Sequence, residues 1–188
     1  MIHSSAVIAD DAVVGAAATV GPSCVLGVDG VGTPLRVGRD AVIRSHVVLY
    51  RGATVGDSFH AGHGVLVREA TSIGNHVSIG SHSVVEHHVE VGDGVRLHSG
   101  CFVPELCVLE SGSWLGPGVI LTNSRYPNRA DSKAKLQGVR VGRGAVVGAG
   151  AVLLPGVRVG AGALVGAGAV VVGDVTPGAM VVGNPARA

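Results

Sequence analysis

The chain has 188 residues, a formal net charge of +1, and 31 glycines against only five aromatic residues, Tyr50, Phe59, Phe102, Trp114 and Tyr126. So near-neutral a balance points away from nucleic acid and anionic membrane surfaces as principal partners. No apolar run approaches the length of a transmembrane helix, and the start MIHSSAVIADD lacks the basic and apolar regions of a signal peptide, so a cytoplasmic protein with a narrow aliphatic core is expected.

Written in sixes from Ile2, the chain opens IHSSAV, IADDAV, VGAAAT, VGPSCV. Residues 26–30, LGVDG, interrupt the beat. It resumes at Val31 and holds to Leu121, through units such as VGRDAV, IRSHVV, IGSHSV, VEHHVE and LGPGVI. A long irregular passage comes next, LTNSRYPNRADSKAKLQGVR at 121–140, of which LTNSRY still fits one more strand. The insertion proper is therefore expected at 127–140. From Val141 the beat returns as VGRGAV, VGAGAV, LLPGVR, VGAGAL.

Position one is almost always Val, Ile or Leu, position two is often Gly, and position five is small or β-branched. A period of six fits neither a helix nor a long strand. It fits a short strand and a turn, repeated, with position one pointing inward, position five letting the interior close, and Gly at position two permitting the corner. Three units make one triangular coil, and stacked coils make a parallel β-helix, each unit stable only against its neighbours. The expectation is an all-β chain, one domain over 1–188, with insertions at 26–30 and 127–140.

This phase orients the side chains. Cys24, Cys101 and Cys107 fall at position five and are expected as small core residues. All nine histidines avoid positions one and five and are expected to face outward. Residues one coil apart stack, so one column reads Arg51, Glu69, His87, Glu105, Asn123. Its neighbours read Tyr50, Arg68, Glu86, Pro104, Thr122 and Gly52, Ala70, His88, Leu106, Ser124. The bland reading of Arg51 and Glu69 is charge pairing along the ladder. Glu105 and Asn123 lie beside the long passage, where Arg125, Arg129, Lys133 and Lys135 outnumber Asp131. That local positive charge suits a flap reaching for a phosphate, although a solubilising loop has the same composition.

The unbroken hexads resemble the hexapeptide-repeat acyltransferase family over nearly the whole chain. The resemblance implies a left-handed coil, a hand opposite to ordinary parallel crossovers. LESGSWLGPGVILTNSRYP is similar to a stretch of the sugar-nucleotide amino-sugar N-acetyltransferases that ends in T-N and a proline. The resemblance implies that Asn123 lies at the active site, with Glu105 one coil below. VVVGDVTPGAMVVGNPARA is similar to the closing signature of the wider superfamily and implies use of an acyl-CoA. The chain stops at Ala188, after that signature, where many relatives continue into a C-terminal helix.

The activity implied by the resemblance is acetyl transfer from acetyl-CoA to the amine of a nucleotide-linked amino sugar. Asn123, Glu105 and His87 are the catalytic candidates, with Glu105 as the first choice of base and His87 as a second base or its tuner. His88, Glu69, Arg68, Arg125, Arg129 and His98 are candidates for substrate binding, His98 standing where such relatives usually carry Gln. A homotrimer is implied, with coenzyme A along the C-terminal coils between subunits. There Gly148, Gly150, Gly166 and Gly168 would let its arm approach the backbone, and Arg158 and Arg187 would meet phosphates. No metal is expected.

Three rivals stand beside this reading. A γ-type carbonic anhydrase shares the fold, but its three zinc ligands would fall on Tyr50, Ser81 and Glu86, and His82 and His87 are one place out of phase. An O-acetyltransferase of the maltose or antibiotic type carries a catalytic His in or beside the long loop. Residues 122–140 contain none, so the base would be His87 or His98. A non-catalytic interaction module is the third.

Overall fold

The computed structural model describes residues 1–188. Two-residue strands and four-residue turns alternate along the chain, as in Val84–Val85, Glu90–Val91 and Arg96–Leu97. Every strand pairs in parallel with the equivalent strand one coil away, Leu66 with Val84 and Val84 with Phe102. The result is three sheets of nine, eight and nine strands forming the sides of a triangular prism, a left-handed parallel β-helix.

Strand residues alternate in direction, so position one points into the prism and position six outward. Leu26, Leu49, Val67, Val85, Val103 and Leu121 stack as one such inward row, fully buried. Position five closes the interior with small residues, among them Ala41, Ala145, Ala151 and all three cysteines. Burial pushes the Cys107 thiol up to about 12, which leaves it an inert core residue. A single 3-10 turn, at Lys133–Lys135, lies in the long loop. No helix is long and apolar enough to cross a membrane.

The corners are built differently from the sequence expectation. The left-handed backbone sits at position four, not two: Asp40, His46, His76, His82 and His88 all have φ between 55° and 60° there. Glycine at position two answers a steric demand instead. A Cβ on Gly148 would lie 2.4 Å from the Ala167 amide nitrogen of the coil above. At the second and third corners the position-two glycines are where successive coils touch backbone to backbone, whereas the first corner carries Tyr50, Arg68 and Glu86 there.

Three corners join the sides. Calling the sides by their first strands, Val7–Ile8 opens the first, Val13–Val14 the second and Thr19–Val20 the third. Both irregular passages leave at one and the same corner, between the first and second sides. The shorter is the turn-rich stretch at 27–33, which hydrogen-bonds upward to Arg51 and Gly52 through the carbonyls of Asp29 and Thr33. The longer departs after Asn123 and rejoins at Gln137, whose N–H donates to the Asn123 carbonyl at 2.8 Å. The helix resumes at once, Val108 pairing with Arg140. The offset is thus taken up between Asn123 and Gln137, a few residues earlier than the sequence beat suggested.

Candidate active site

Between these two loops the first corner presents the column Arg51, Glu69, His87, Glu105, Asn123, one residue per coil. The decisive contact is between two of them. His87 Nδ1 lies 2.7 Å from Glu105 Oε2, both side chains about a quarter exposed. Nδ1 is itself buried and has no other partner, and the approach is an ion-pair contact rather than an aligned hydrogen bond. With Nδ1 turned to the carboxylate, Nε2 is the ring nitrogen left for a reacting group. His88 packs edge-on against His87 with ring centroids 5.0 Å apart.

Asn123 enters differently from the sequence expectation. Its Nδ2 donates to the backbone carbonyl of Glu105 at 3.3 Å, so the amide braces the turn of Glu105. Its own carbonyl closes the loop base. Asn123 therefore ties the loop to the carboxylate's coil.

Lower in the column, charges are mutually satisfied. Arg68 holds Glu69 through Nη2 and Nε at 2.8 and 3.1 Å, and Glu86 through Nη1 at 2.9 Å, with its guanidinium carbon 5.7 Å from the Tyr50 ring centroid. Burial works to raise the Glu69 carboxyl, but a backbone hydrogen bond and the Arg68 charge outweigh it and hold it below the usual range. Arg51 does not pair with Glu69. It reaches past the short loop to Asp11, Nη1 donating to Oδ1 at 2.9 Å and Nη2 to Oδ2. Pairing up a column is thus found between Arg68 and Glu86, one coil apart, whereas Glu69 pairs within its own coil and Arg51 pairs outside the column.

The other nominated residues are distributed over the surface. Arg125 and Arg129 are exposed on the long loop, where Arg129 lies 4.3 Å over the Tyr126 ring and Lys135 pairs with Asp131 at 2.6 Å. A small hollow there is lined by Ser124, Arg125, Arg129 and Lys135. His98 sits on a different corner, between the third and first sides, tilted against Trp114 at 4.7 Å. Gly148, Gly150, Gly166 and Gly168 lie on that same corner higher up, where Ala149 and Ala167 are the only outward side chains of their two coils and Val182 of the next coil covers Gly166. Arg187 joins them through the bridge between Val182 and Arg187. Arg158 does not. It stands on the outside of the second side above Arg140, its N–H bonded to Asp174.

Two residues of the first corner escaped the sequence reading. Glu86 was noted only as a column neighbour, yet it is the second partner of Arg68. Thr71 was unnoticed, although a hydroxyl at position five, where most coils carry Val, Ala or Cys, was the available signal. No group of three His, Cys, Asp or Glu side chains is arranged to hold a metal. Tyr50 and Glu86 face out from the first corner and Ser81 from the corner of His98.

Comparison with known proteins agrees with this architecture. The family described as bacterial transferase hexapeptide (six repeats) matches residues 70–105 and 138–173. The chain is 34% identical over 143 residues to Nodulation protein L of Rhizobium meliloti (strain 1021), covering 72% of this chain and 78% of that one. Among solved structures, a UDP-N-acetylglucosamine acyltransferase from Campylobacter jejuni superposes over 100% of this chain and 73% of its own, with a TM-score of 0.57 at 18% identity, which speaks for the fold. A GDP-perosamine N-acetyl transferase from Caulobacter crescentus, solved with CoA and GDP-perosamine, is 30% identical with a TM-score of 0.47. That match covers 75% of this chain and 55% of that one, so the chain spans about half the length of this relative.

Proposed function

The chain belongs to the bacterial transferase hexapeptide family, and from that premise we propose that it transfers an acetyl group from acetyl-CoA to the amine of a nucleotide-linked amino sugar. The observation that carries the reading is the His87–Glu105 contact at 2.7 Å, at a corner flanked by a basic loop.

The geometry supports these roles. Glu105 Oε2 faces Nδ1 at 2.7 Å, and a small ring rotation that aligns the N–H would let the carboxylate fix the tautomer and direction, with His87 Nε2 as the base and Glu105 its orienter. A protonated sugar amine first gives up one proton to solvent. His87 Nε2 takes the remaining surplus proton as the nitrogen lone pair forms the C–N bond to the thioester carbonyl carbon. The C–S bond then breaks, and the imidazolium returns that proton to the leaving sulfur, so the base is regenerated and the net reaction releases only the one proton first given to solvent. The basic residues Arg125, Arg129 and Lys135 on the loop suit the phosphates of a nucleotide-linked acceptor.

The bare glycine corner suits the coenzyme's arm, which needs backbone at close range and no side chains in the way. That corner and the His87 corner lie on different edges of one prism. A site that uses both is completed by a second copy of the chain, which supports a homotrimer.

The same pair favours one further reading. An imidazole backed by a carboxylate is also what a hydroxyl acceptor requires, since a hydroxyl must lose its proton as it attacks. Incubation with acetyl-CoA and a panel of nucleotide amino sugars, read by mass spectrometry, separates the two. Acetylated amine is expected. Acetylation confined to hydroxyl acceptors would overturn the first reading in favour of the second.

A further inference from the structure

Only three polar residues lie buried in the core, Thr71, Ser83 and Ser113. Two of them are used on both sides of the hydroxyl. Thr71 Oγ1 donates to the Glu86 carbonyl at 2.7 Å and accepts from the Val89 N–H at 3.3 Å. Glu86 and Val89 are the two ends of the turn that carries His87 and His88. Ser83 does the same one corner away, donating to the His98 carbonyl at 3.0 Å and accepting from the Cys101 N–H at 3.1 Å. Ser113 makes neither bond.

Many other turns close on themselves. The Ala145 N–H reaches the Gly142 carbonyl at 3.0 Å, and Val157 reaches Leu154 at 3.2 Å, each amide bonding the carbonyl three residues back. Some, such as those ending at Val77 and Val95, carry neither this bond nor a hydroxyl bridge. Under His87 the hydroxyl stands in that gap and takes both ends. A hydroxyl can do so because it donates and accepts at once. Of the neighbouring position-five residues of the same column, Ala53 and Val89 have no polar side-chain atom to bridge turn ends, and Cys107 only accepts, from the Val139 N–H at 3.3 Å.

We propose that Thr71 is a positioning residue for His87, its hydroxyl rather than the turn's own backbone setting the peptide units from which the imidazole meets Glu105. The proposal rests on His87 being the base of the transfer reaction. Without the hydroxyl, the Glu86 carbonyl and the Val89 N–H lose the partner that ties them together, and the peptides flanking His87 are free to rotate. The imidazole then leaves the Glu105 carboxylate, and small misplacements of a reacting group cost large factors in rate.

The test is side-chain NMR of protein labelled with 15N-histidine, with the His87 signal identified by its loss in His87→Gln. Thr71→Val is compared with Thr71→Ser, and Ser113→Ala serves as a core-hydroxyl control. Thr71→Val is expected to keep the melting temperature, to move His87 off the single tautomer with Nδ1–H, and to lower kcat about tenfold with KM for acetyl-CoA within about twofold. Thr71→Ser restores both, and Ser113→Ala changes neither. Should Thr71→Val fail to fold, Thr71→Ala, a residue type position five already accepts at Ala53 in the same column, must show the same displacement. A wild-type His87 signal and pH titration in the folded variant overturns the proposal. If the wild-type protein transfers acetyl to no acceptor, the transferase reading fails, while the His87 spectrum still decides the role of Thr71.

Discussion

The corner of His87 and the corner of Gly148 are made from the same hexad and differ in almost everything a ligand would meet. The first carries one long polar side chain per coil, two loops and a hydroxyl inside a turn. The second is stripped to glycine and alanine, so the backbone itself is the surface. Positions three and four of a hexad are free of the core, and the prism accepts chemistry on one edge and bareness on another without any change in its sides. Position two is the exception on the bare edge, where Gly148 leaves no room for a side chain between coils, while on the polar edge it carries Tyr50, Arg68 and Glu86.

Each prediction strains that contrast. The largest effect is expected from His87→Gln, which removes the reactive nitrogen from the polar corner. The kcat/KM should fall about 10²–10⁴-fold with an unchanged melting temperature, and a loss under about threefold would mean that the polar corner is not the reacting edge. Next come two glycines of the bare corner. Gly148→Ala drives a Cβ to 2.4 Å from the next coil's backbone and should cost about 1–3 kcal/mol in denaturant unfolding.

Gly150→Ala meets nothing within 4 Å and suffers only from its φ of 66°, so the loss should be about 1–2 kcal/mol, accompanied by a raised KM for acetyl-CoA. Equal losses at the two sites would erase the distinction between contact position and exposed position. Arg68→Ala breaks two ion pairs on a surface that water reaches, and should cost no more than about 1 kcal/mol.

The smallest effect is a pH dependence. The folded Glu69 carboxyl lies below its ordinary 4.5, so the unfolded chain binds the extra proton first. Its stabilisation is complete above that value and disappears as the pH falls through the folded one. Acid unfolding curves of Glu69→Gln should be flatter than wild type below about pH 4.5 and parallel above it.

The coil was legible because inward positions tolerate so few residue types: a branched aliphatic at one and a small residue at five mark the phase through nearly every unit. The column of His87, Glu105 and Asn123 followed from that phase alone. Details that depend on which way a side chain turns did not. Glycine at position two suggested a left-handed corner, whereas backbone crowding between coils is what demands it. Arg51 was placed beside Glu69 by counting, but its long side chain is free to swing past the short loop to Asp11, a partner no periodicity reveals. His98 shares the polar character of His87, yet the two are not a whole number of coils apart, and the prism sets them on separate edges. Asn123 was read as a ligand-facing amide, while the carbonyl it braces belongs to the backbone, about which the sequence carries no pattern.

The loop base has a consequence for how such a protein changes its acceptor. The chain leaves at Asn123 and returns at Gln137, with a hydrogen bond across the gap and the coil above already in register. Whatever lies between is thermodynamically almost separate from the prism, because doubling a flexible loop costs only about 0.6 kcal/mol in closure entropy. In that sense the segment is built as a cassette: a loop of another length or charge joined at the same two residues would leave the His87–Glu105 pair and the bare edge of the scaffold in place.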